Sequence, residues 1–223
     1  MLVFSFVQWC VHRPRGIIAI ELDEVVISRP RTAWPLTYVY SVVHMRKGAP
    51  AISYINDIAG MIPAGSRVLL LGLGGGGLPY EMRSRGVDIH LTAVDVDPDA
   101  LVIARRVVPD GGNWAYVVSS AREAVASAAP DSYDVIINDL YMGTRMPPEA
   151  LTHTFTEGVM RALTPGGVYL TNCVSVCRLP GVHTDLWWET GLEEVVSRLC
   201  IDAGFIDVQK QKSMNTLVIA RKG

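Results

Sequence analysis

The amino-acid sequence predicts a doubly wound α/β fold: a seven-stranded, mostly parallel sheet with an antiparallel C-terminal hairpin, preceded by a short N-terminal β extension. Three observations carry that expectation. From Arg67 onward, short apolar runs alternate with segments of helical periodicity, as expected for strands buried on both faces by crossover helices. The first run, Val68 to Leu71, opens directly into the glycine-rich stretch Gly72 to Gly77. The last two runs, Phe205 to Gln209 and Thr216 to Ala220, succeed one another across a polar turn with no helix between them, so they can pair antiparallel.

The elements run in chain order. Val3 to Trp9 and Gly16 to Ser28 are rich in β-branched and aromatic residues and read as strands, with Pro30 and Pro35 punctuating the stretch after them. Residues 1–48 therefore form a β-hairpin extension, and 49–223 the doubly wound unit. Pro50 to Met61 is helical, with Ile52, Ile55, Ile58 and Met61 near one face. Arg67 to Leu73 is a strand, Leu78 to Arg85 a helix, His90 to Asp95 a strand, and Pro98 to Val107 a helix. Ala115 to Val118, Ala121 to Ala128 and Tyr133 to Asp139 continue the alternation. Pro148 to Leu163 is a helix stopped by Pro165-Gly166-Gly167. Val168 to Asn172 is the fifth parallel strand, and Leu186 to Ala203 a long helix.

Composition narrows the function. The chain has 223 residues, 49% hydrophobic and 19% charged, the balance of a packed domain rather than a disordered segment. A net charge of -2 gives no basic surplus for nucleic acid. Met1 to Cys10 is apolar but too short to span a bilayer, and no basic region precedes it. No membrane association is expected, and the reading is a soluble, cytoplasmic protein. Cys173 and Cys177 have the spacing of a metal pair, yet no second pair or histidine cluster completes a site. With Cys10 and Cys200 they read as core thiols, and no metal is expected.

The central constellation is the glycine turn and an acid about twenty residues later. Glycines there let the backbone approach a ligand and adopt positive φ. The strand ending at Asp95 lies beside the first in a doubly wound sheet, so Asp95 reaches the ribose hydroxyls of a ligand held by the turn. Asp97 reads instead as the N-cap of the next helix. A nicotinamide dinucleotide fits the same two features. Against it, Leu78-Pro79 delays the helix start and blocks part of a pyrophosphate cradle, and the chain leaves no room for a separate catalytic domain. Asp139 ends the fourth strand at the functional edge of such a sheet.

Leu70 to Pro79, Val94 to Pro98 and Tyr133 to Asp139 together resemble the spermidine synthase superfamily, in its methyltransferase-like branch of class I, Rossmann-like S-adenosylmethionine-dependent enzymes. Glu21 to Val26 is similar to the strand preceding the catalytic domain there, and Tyr38 to His44 to its tyrosine-containing helix. The resemblance covers roughly residues 18 to 175. It implies that Gly72, Gly74, Gly75, Gly76, Asp95, Val96, Ser120, Ala121 and Asp139 bind S-adenosylmethionine, with S-adenosylhomocysteine as product. It also implies Asp139 and Tyr141 as catalytic residues, and Tyr38 and Tyr141 as acceptor contacts. His44, in an apolar stretch, reads as a core residue. Trp187 and Trp188 read as core or dimer packing, and Arg145 to Pro148 as a lid over the pocket mouth.

The departures from that family choose among chemistries. Where aminopropyltransferases carry a second aspartate three residues after the first, this sequence has Met142. Where their helix reads Tyr-Gln-Glu it has Tyr38-Val39-Tyr40, and the glutamine after the Val-Val pair is Ile27. A diamine carries two positive charges, whose desolvation needs paired acids. The expectation is a methyltransferase acting on an amine or hydroxyl of a small molecule or a protein, as a homodimer. The alternatives are an aminopropyltransferase using decarboxylated S-adenosylmethionine, or a non-catalytic relative. The last is encouraged by Ser120 in place of the adenine-binding acid, by Met142, and by an N-terminal region that looks shortened.

Overall fold

A computed structural model describes residues 7–9, 17–22, 25–30, 41–44, 53–109, 111–142, 145–174 and 191–223. Two sheets are present. The first is four-stranded and antiparallel, in the order β1 (Val7–Trp9), β2 (Ile17–Leu22), β3 (Val25–Pro30) and β4 (Ser41–His44). The run read as one strand, Gly16 to Ser28, is thus two strands, with Leu22 opposite Val25. The stretch compared with a tyrosine-containing helix is also strand where it is described: Val42 and Val43 stand opposite Ile27 and Val26. β-Branched pairs favour a pleated ladder over a helix, whose preceding turn crowds them. Tyr38 lies outside the described residues.

The second sheet is the doubly wound one. After α1 (Ser53–Gly60) come β5 (Arg67–Leu71), α2 (Gly77–Ser84), β6 (His90–Asp95), α3 (Pro98–Val107), β7 (Trp114–Val118), α4 (Ala121–Ser127) and β8 (Tyr133–Asn138). A 3-10 turn at Pro148–Leu151 precedes α5 (His153–Ala162), β9 (Leu163–Cys173), α6 (Leu192–Asp202), β10 (Ile206–Lys212) and β11 (Thr216–Arg221). The order across the sheet is β10-β11-β9-β8-β5-β6-β7. β5 pairs parallel with β6 and with β8, and β11 runs antiparallel to both neighbours. The chain winds outward from β5 to β7, then returns to its other side with β8. That reversal leaves a crevice beyond the C-terminal ends of β5 and β8, where ligands bind in such sheets.

Strand residues alternate between two cores. Val68 and Leu70 face α1, α2 and α3, while Leu69 and Leu71 face the layer of α4, α5 and α6. All four are buried, so each of these side chains removes its apolar surface from water, worth about 1.5–3 kcal/mol per residue. The N-terminal sheet meets the α1–α3 side through contacts of β4 with α2 and β2 with α3, and Val43 joins that core.

Two further elements depart from expectation. The helix expected over Pro148 to Leu163 is interrupted at Thr152, which is extended and accepts the Phe155 N–H with its hydroxyl oxygen. A capping threonine restarts the helix, and the residues before it form a 3-10 turn. Pro165-Gly166-Gly167 does not precede the next strand but loops out within it: pairing jumps from Tyr133 opposite Leu163 to Val135 opposite Val168. Gly166 N–H donates to the Lys222 carbonyl, and Lys222 N–H to that of Gly167, so the loop is pinned to the end of β11.

Candidate functional site

Parallel register brings the site together. Leu71 stands opposite Val94 on one side and Asn138 on the other, so Gly72, Asp95 and Asp139 emerge at one edge of the sheet. Gly72 has φ 89°, and a Cβ there would lie 2.4 Å from the Asp139 carbonyl oxygen. The glycine is required both by the backbone conformation and by the neighbouring strand end. α2 begins at Gly77, capped by Gly76 in the left-handed region, so the helix does not start late as its sequence suggests. Pro79 is the third residue of that helix, and its missing N–H removes one donor from the first turn.

Asp95 holds the turn in shape. Its Oδ2 accepts the N–H groups of Leu73 at 2.9 Å and Gly74 at 3.3 Å, and Oδ1 accepts that of Asp97 at 2.9 Å. Burial raises its pKa, with the three backbone donors opposing. A carboxylate offers about four acceptor positions. Three are used by backbone, and the fourth, on Oδ1, is the one left for a hydroxyl. Asp97 caps α3, accepting the Asp99 N–H.

The exposed valines and the residues expected on the adenine side stand nearby. Val96 and Val118 are 69% and 56% exposed at the ends of β6 and β7, beside Asp95. Val118 is absent from the sequence expectation. Its place at the end of β7, opposite Asp95 in the parallel register, is what marks it. Ser120 caps α4 in a capping box: its hydroxyl accepts the Glu123 N–H at 3.1 Å and donates to the Glu123 carboxylate at 2.9 Å. Ala121 is the buried first residue of that helix.

At the other side of the crevice, Asp139 donates its N–H to the Leu71 carbonyl. Its Oδ1 accepts from Asn172 Nδ2 at 2.7 Å. Burial pushes the carboxyl up to about 6, against the pull of the Asn172 hydrogen bond. Tyr141 turns its hydroxyl to β9, donating to the Asn172 carbonyl at 2.8 Å and accepting from Val174 N–H at 2.7 Å. The phenol is thereby a strut between the loop after β8 and the end of β9.

Tyr54, in the first turn of α1, is a further residue that sequence reasoning missed. It is buried, and its hydroxyl pKa is pushed up by burial first, then by the neighbouring Asp139 carboxylate and Tyr141. A signal was available: a helix leading into β5 starts at that strand's C-terminal edge, so a tyrosine in its first turn faces the crevice. Met142, 67% exposed, is bridged to Arg145. Met146 is buried and its Sδ accepts from Asn138 Nδ2, so that end of the expected lid belongs to the core. Cys173 and Cys200 are buried free thiols pushed up to about 12 by burial. Trp187, Trp188, Cys10 and Cys177 lie outside the described residues.

A cavity of about 460 Å³ opens at the opposite, N-terminal edge of the strands. Its charged groups are used internally: Asp134 pairs with Arg67 and accepts from Thr164, and Arg221 donates to the Gly166 carbonyl. No helix among the described residues is long and apolar enough to cross a membrane.

Comparison with known proteins agrees with this geometry. Residues 68–167 match the family described as methyltransferase domain. The chain is 29% identical over 138 residues to an N-terminal histidine N-methyltransferase of Emericella nidulans, covering 60% of this chain and 24% of that enzyme. It is 34% identical over 128 residues to a polyamine aminopropyltransferase of Prochlorococcus marinus, covering 53% of this chain and 44% of that enzyme. The chain therefore spans less than half the length of these curated relatives. A spermidine synthase solved with the transition state analogue AdoDATO superposes with a TM-score of 0.71 at 18% identity, over 99% of this chain and 75% of that one. A match to a methyltransferase domain over residues 68–167 and, over nearly the whole chain, the fold of spermidine synthase are what this chain shares with known proteins.

Proposed function

We propose that the crevice binds S-adenosylmethionine and that the protein transfers its methyl group to an amine of a small molecule or a protein. The observation that carries this reading is the placement of Asp95 and Asp139 on either side of the Gly72 turn, at the switch point of the sheet. The residues suit an adenosyl sulfonium. Asp95 keeps one acceptor position for a ribose hydroxyl, and Val96 and Val118 offer apolar surface for a purine. The first turn of α2, short of a donor at Pro79, is a poor pyrophosphate cradle.

When bound, the sulfonium supplies an electrophilic methyl carbon, and its displacement by a nitrogen lone pair leaves the bond's electrons on sulfur. The chain's own task is to orient the nucleophile and take its proton. Asp139 does so with Oδ2, since Oδ1 is held by Asn172. A carboxylate at about 6 is a competent acceptor for an ammonium whose own pKa falls on desolvation, and a weak base for an alcohol. That favours amine over hydroxyl. Tyr54 and Tyr141 line the same end.

Aminopropyl transfer is the second reading, supported by the aminopropyltransferase likeness. Against it, Met142 stands where a second acid would hold a diamine. The test is calorimetric titration with S-adenosylmethionine, its decarboxylated form and S-adenosylhomocysteine, on wild type and Asp95→Ala. Tighter binding of the carboxylated ligands, lost in Asp95→Ala, upholds methyl transfer. Preference for the decarboxylated ligand transfers the case to aminopropyl chemistry, and no binding leaves a non-catalytic relative.

A further inference from the structure

We infer that Asn215 and Asn172 form a positioning relay through which the β10–β11 turn aims the Asp139 carboxylate. The inference rests on the reading above only in making Asp139 the proton acceptor. Asn172 is 2% exposed and Asn215 6%. Asn172 Nδ2 donates to Asp139 Oδ1 at 2.7 Å, and Asn215 Nδ2 donates to Asn172 Oδ1 at 2.9 Å.

The sense of this chain is fixed by chemistry. An ionised carboxylate only accepts, so the Asn172 amide must turn its NH₂ to Asp139 and its oxygen to Asn215. That oxygen then requires a donor, which fixes the Asn215 amide as well. Two amide dipoles end up with their positive ends toward one buried carboxylate, an arrangement in which each bond strengthens the next. Tyr141 fastens the middle of the relay by donating to the Asn172 carbonyl.

The same turn grips the other wall of the site. Met214 N–H donates to Ser53 Oγ at 3.2 Å, and Ser213 Oγ to the same atom at 3.2 Å. Ser53 precedes Tyr54, whose hydroxyl answers electrostatically to Asp139 and Tyr141. Among the described residues, the Asp139 carboxyl is thus met by Asn172 from β9 and Tyr54 from α1, while Tyr141, from the loop after β8, stands beside Tyr54 and holds the Asn172 backbone. Asn172 lowers the carboxyl's proton affinity and burial raises it.

A purely structural Asn215 would close the hairpin and leave Asp139 untouched, so the test reads Asp139 itself. Its titration is tracked by carboxyl carbon NMR in the unliganded full chain, with Asp139→Asn to assign the signal. Asn215→Asp, equal in shape but unable to donate when ionised, raises the Asp139 midpoint by about one pH unit. Asn215→Ala raises it in the same direction, and serves if the aspartate variant does not fold. Met214→Ala, an exposed change in the same turn, leaves it in place. A midpoint unmoved in a cooperatively folded Asn215 variant overturns the relay. Failure to bind S-adenosylmethionine would instead overturn the methyl-transfer reading and leave the relay standing.

Discussion

The Asp139 carbonyl oxygen occupies the space that a side chain on Gly72 would need, 2.4 Å from the position of its Cβ. The turn proposed to bind the cofactor and the residue proposed to accept the proton are therefore in direct backbone contact. Gly72→Ala combines a left-handed backbone with a collision against a strand end, and is expected to destabilise the fold by more than about 2 kcal/mol. Urea denaturation measures it. Gly76→Ala, also at positive φ, meets the Ala104 Cα at 3.0 Å and should also lose stability. A Gly72→Ala protein of wild-type stability would refute the crowding argument.

Asp95→Asn is a small change with a large expected effect. Whichever way the amide turns, its NH₂ faces the N–H of Leu73 and Gly74 or that of Asp97, so at least one buried donor loses its acceptor. The loss is about 1–3 kcal/mol. Amide hydrogen exchange at Leu73 and Gly74 should accelerate, and S-adenosylmethionine affinity should fall at least about tenfold. Unchanged protection at those two amides would show that the carboxylate does not hold the turn.

Asp139 makes stability depend on pH with an unusual sign. Its pKa in the fold is about 6, above the ordinary 3.8. Between those values the native state keeps a proton that the unfolded chain releases, so this group's contribution falls as pH rises through that window. Above it the protein carries a burden of about 3 kcal/mol, an upper figure. Asp139→Asn keeps the shape and removes the charge. It is expected to stabilise the protein by about 1–3 kcal/mol at pH 8, to give no gain at pH 4, and to abolish methyl transfer. Thermal melts at the two pH values measure this, and equal effects at both would contradict a buried, ionised Asp139.

Ser120→Asp tests the adenine side. Aspartate caps a helix about as well as serine, so α4 should keep its N-terminus. A charged acceptor makes a stronger hydrogen bond than a hydroxyl, and S-adenosylmethionine should bind about three- to tenfold more tightly. Glu123 would turn away from the new charge, since it now accepts from the Ser120 hydroxyl. Ser120→Ala loses the capping box and about 1 kcal/mol of stability. Weaker binding by Ser120→Asp would indicate that position 120 serves only the cap.

The parallel half of the fold was legible because its strands are buried on both faces and its turns carry glycines and acids. Val68 to Leu71 and the capping Asp97 each show their role in residue type and spacing, and Asp95 its place at the end of β6. Elements resting on tertiary pairing were less legible. Val42-Val43 becomes a strand because β3 offers a partner, and Pro165-Gly166-Gly167 loops out within β9 because Lys222 receives it. At the site, the position of Asp139 could be read from its strand end, and that of Tyr54 from the start of α1. Asn172 and Asn215 could not, because their roles arise only when β9 and the hairpin turn converge on the end of β8.

The relay to Asp139 also has an order in time. Asn215 lies in the chain after β5, β8 and β9, and the strand it introduces inserts between β9 and β10. A polypeptide folding as it leaves the ribosome can assemble the β5-β6-β7 wing, and shape the glycine turn, well before that strand exists. The carboxylate at Asp139 would wait, its Asn172 partner still loose. Ligand-binding competence and proton-accepting competence are thus expected to mature separately, the second only when the hairpin slots home.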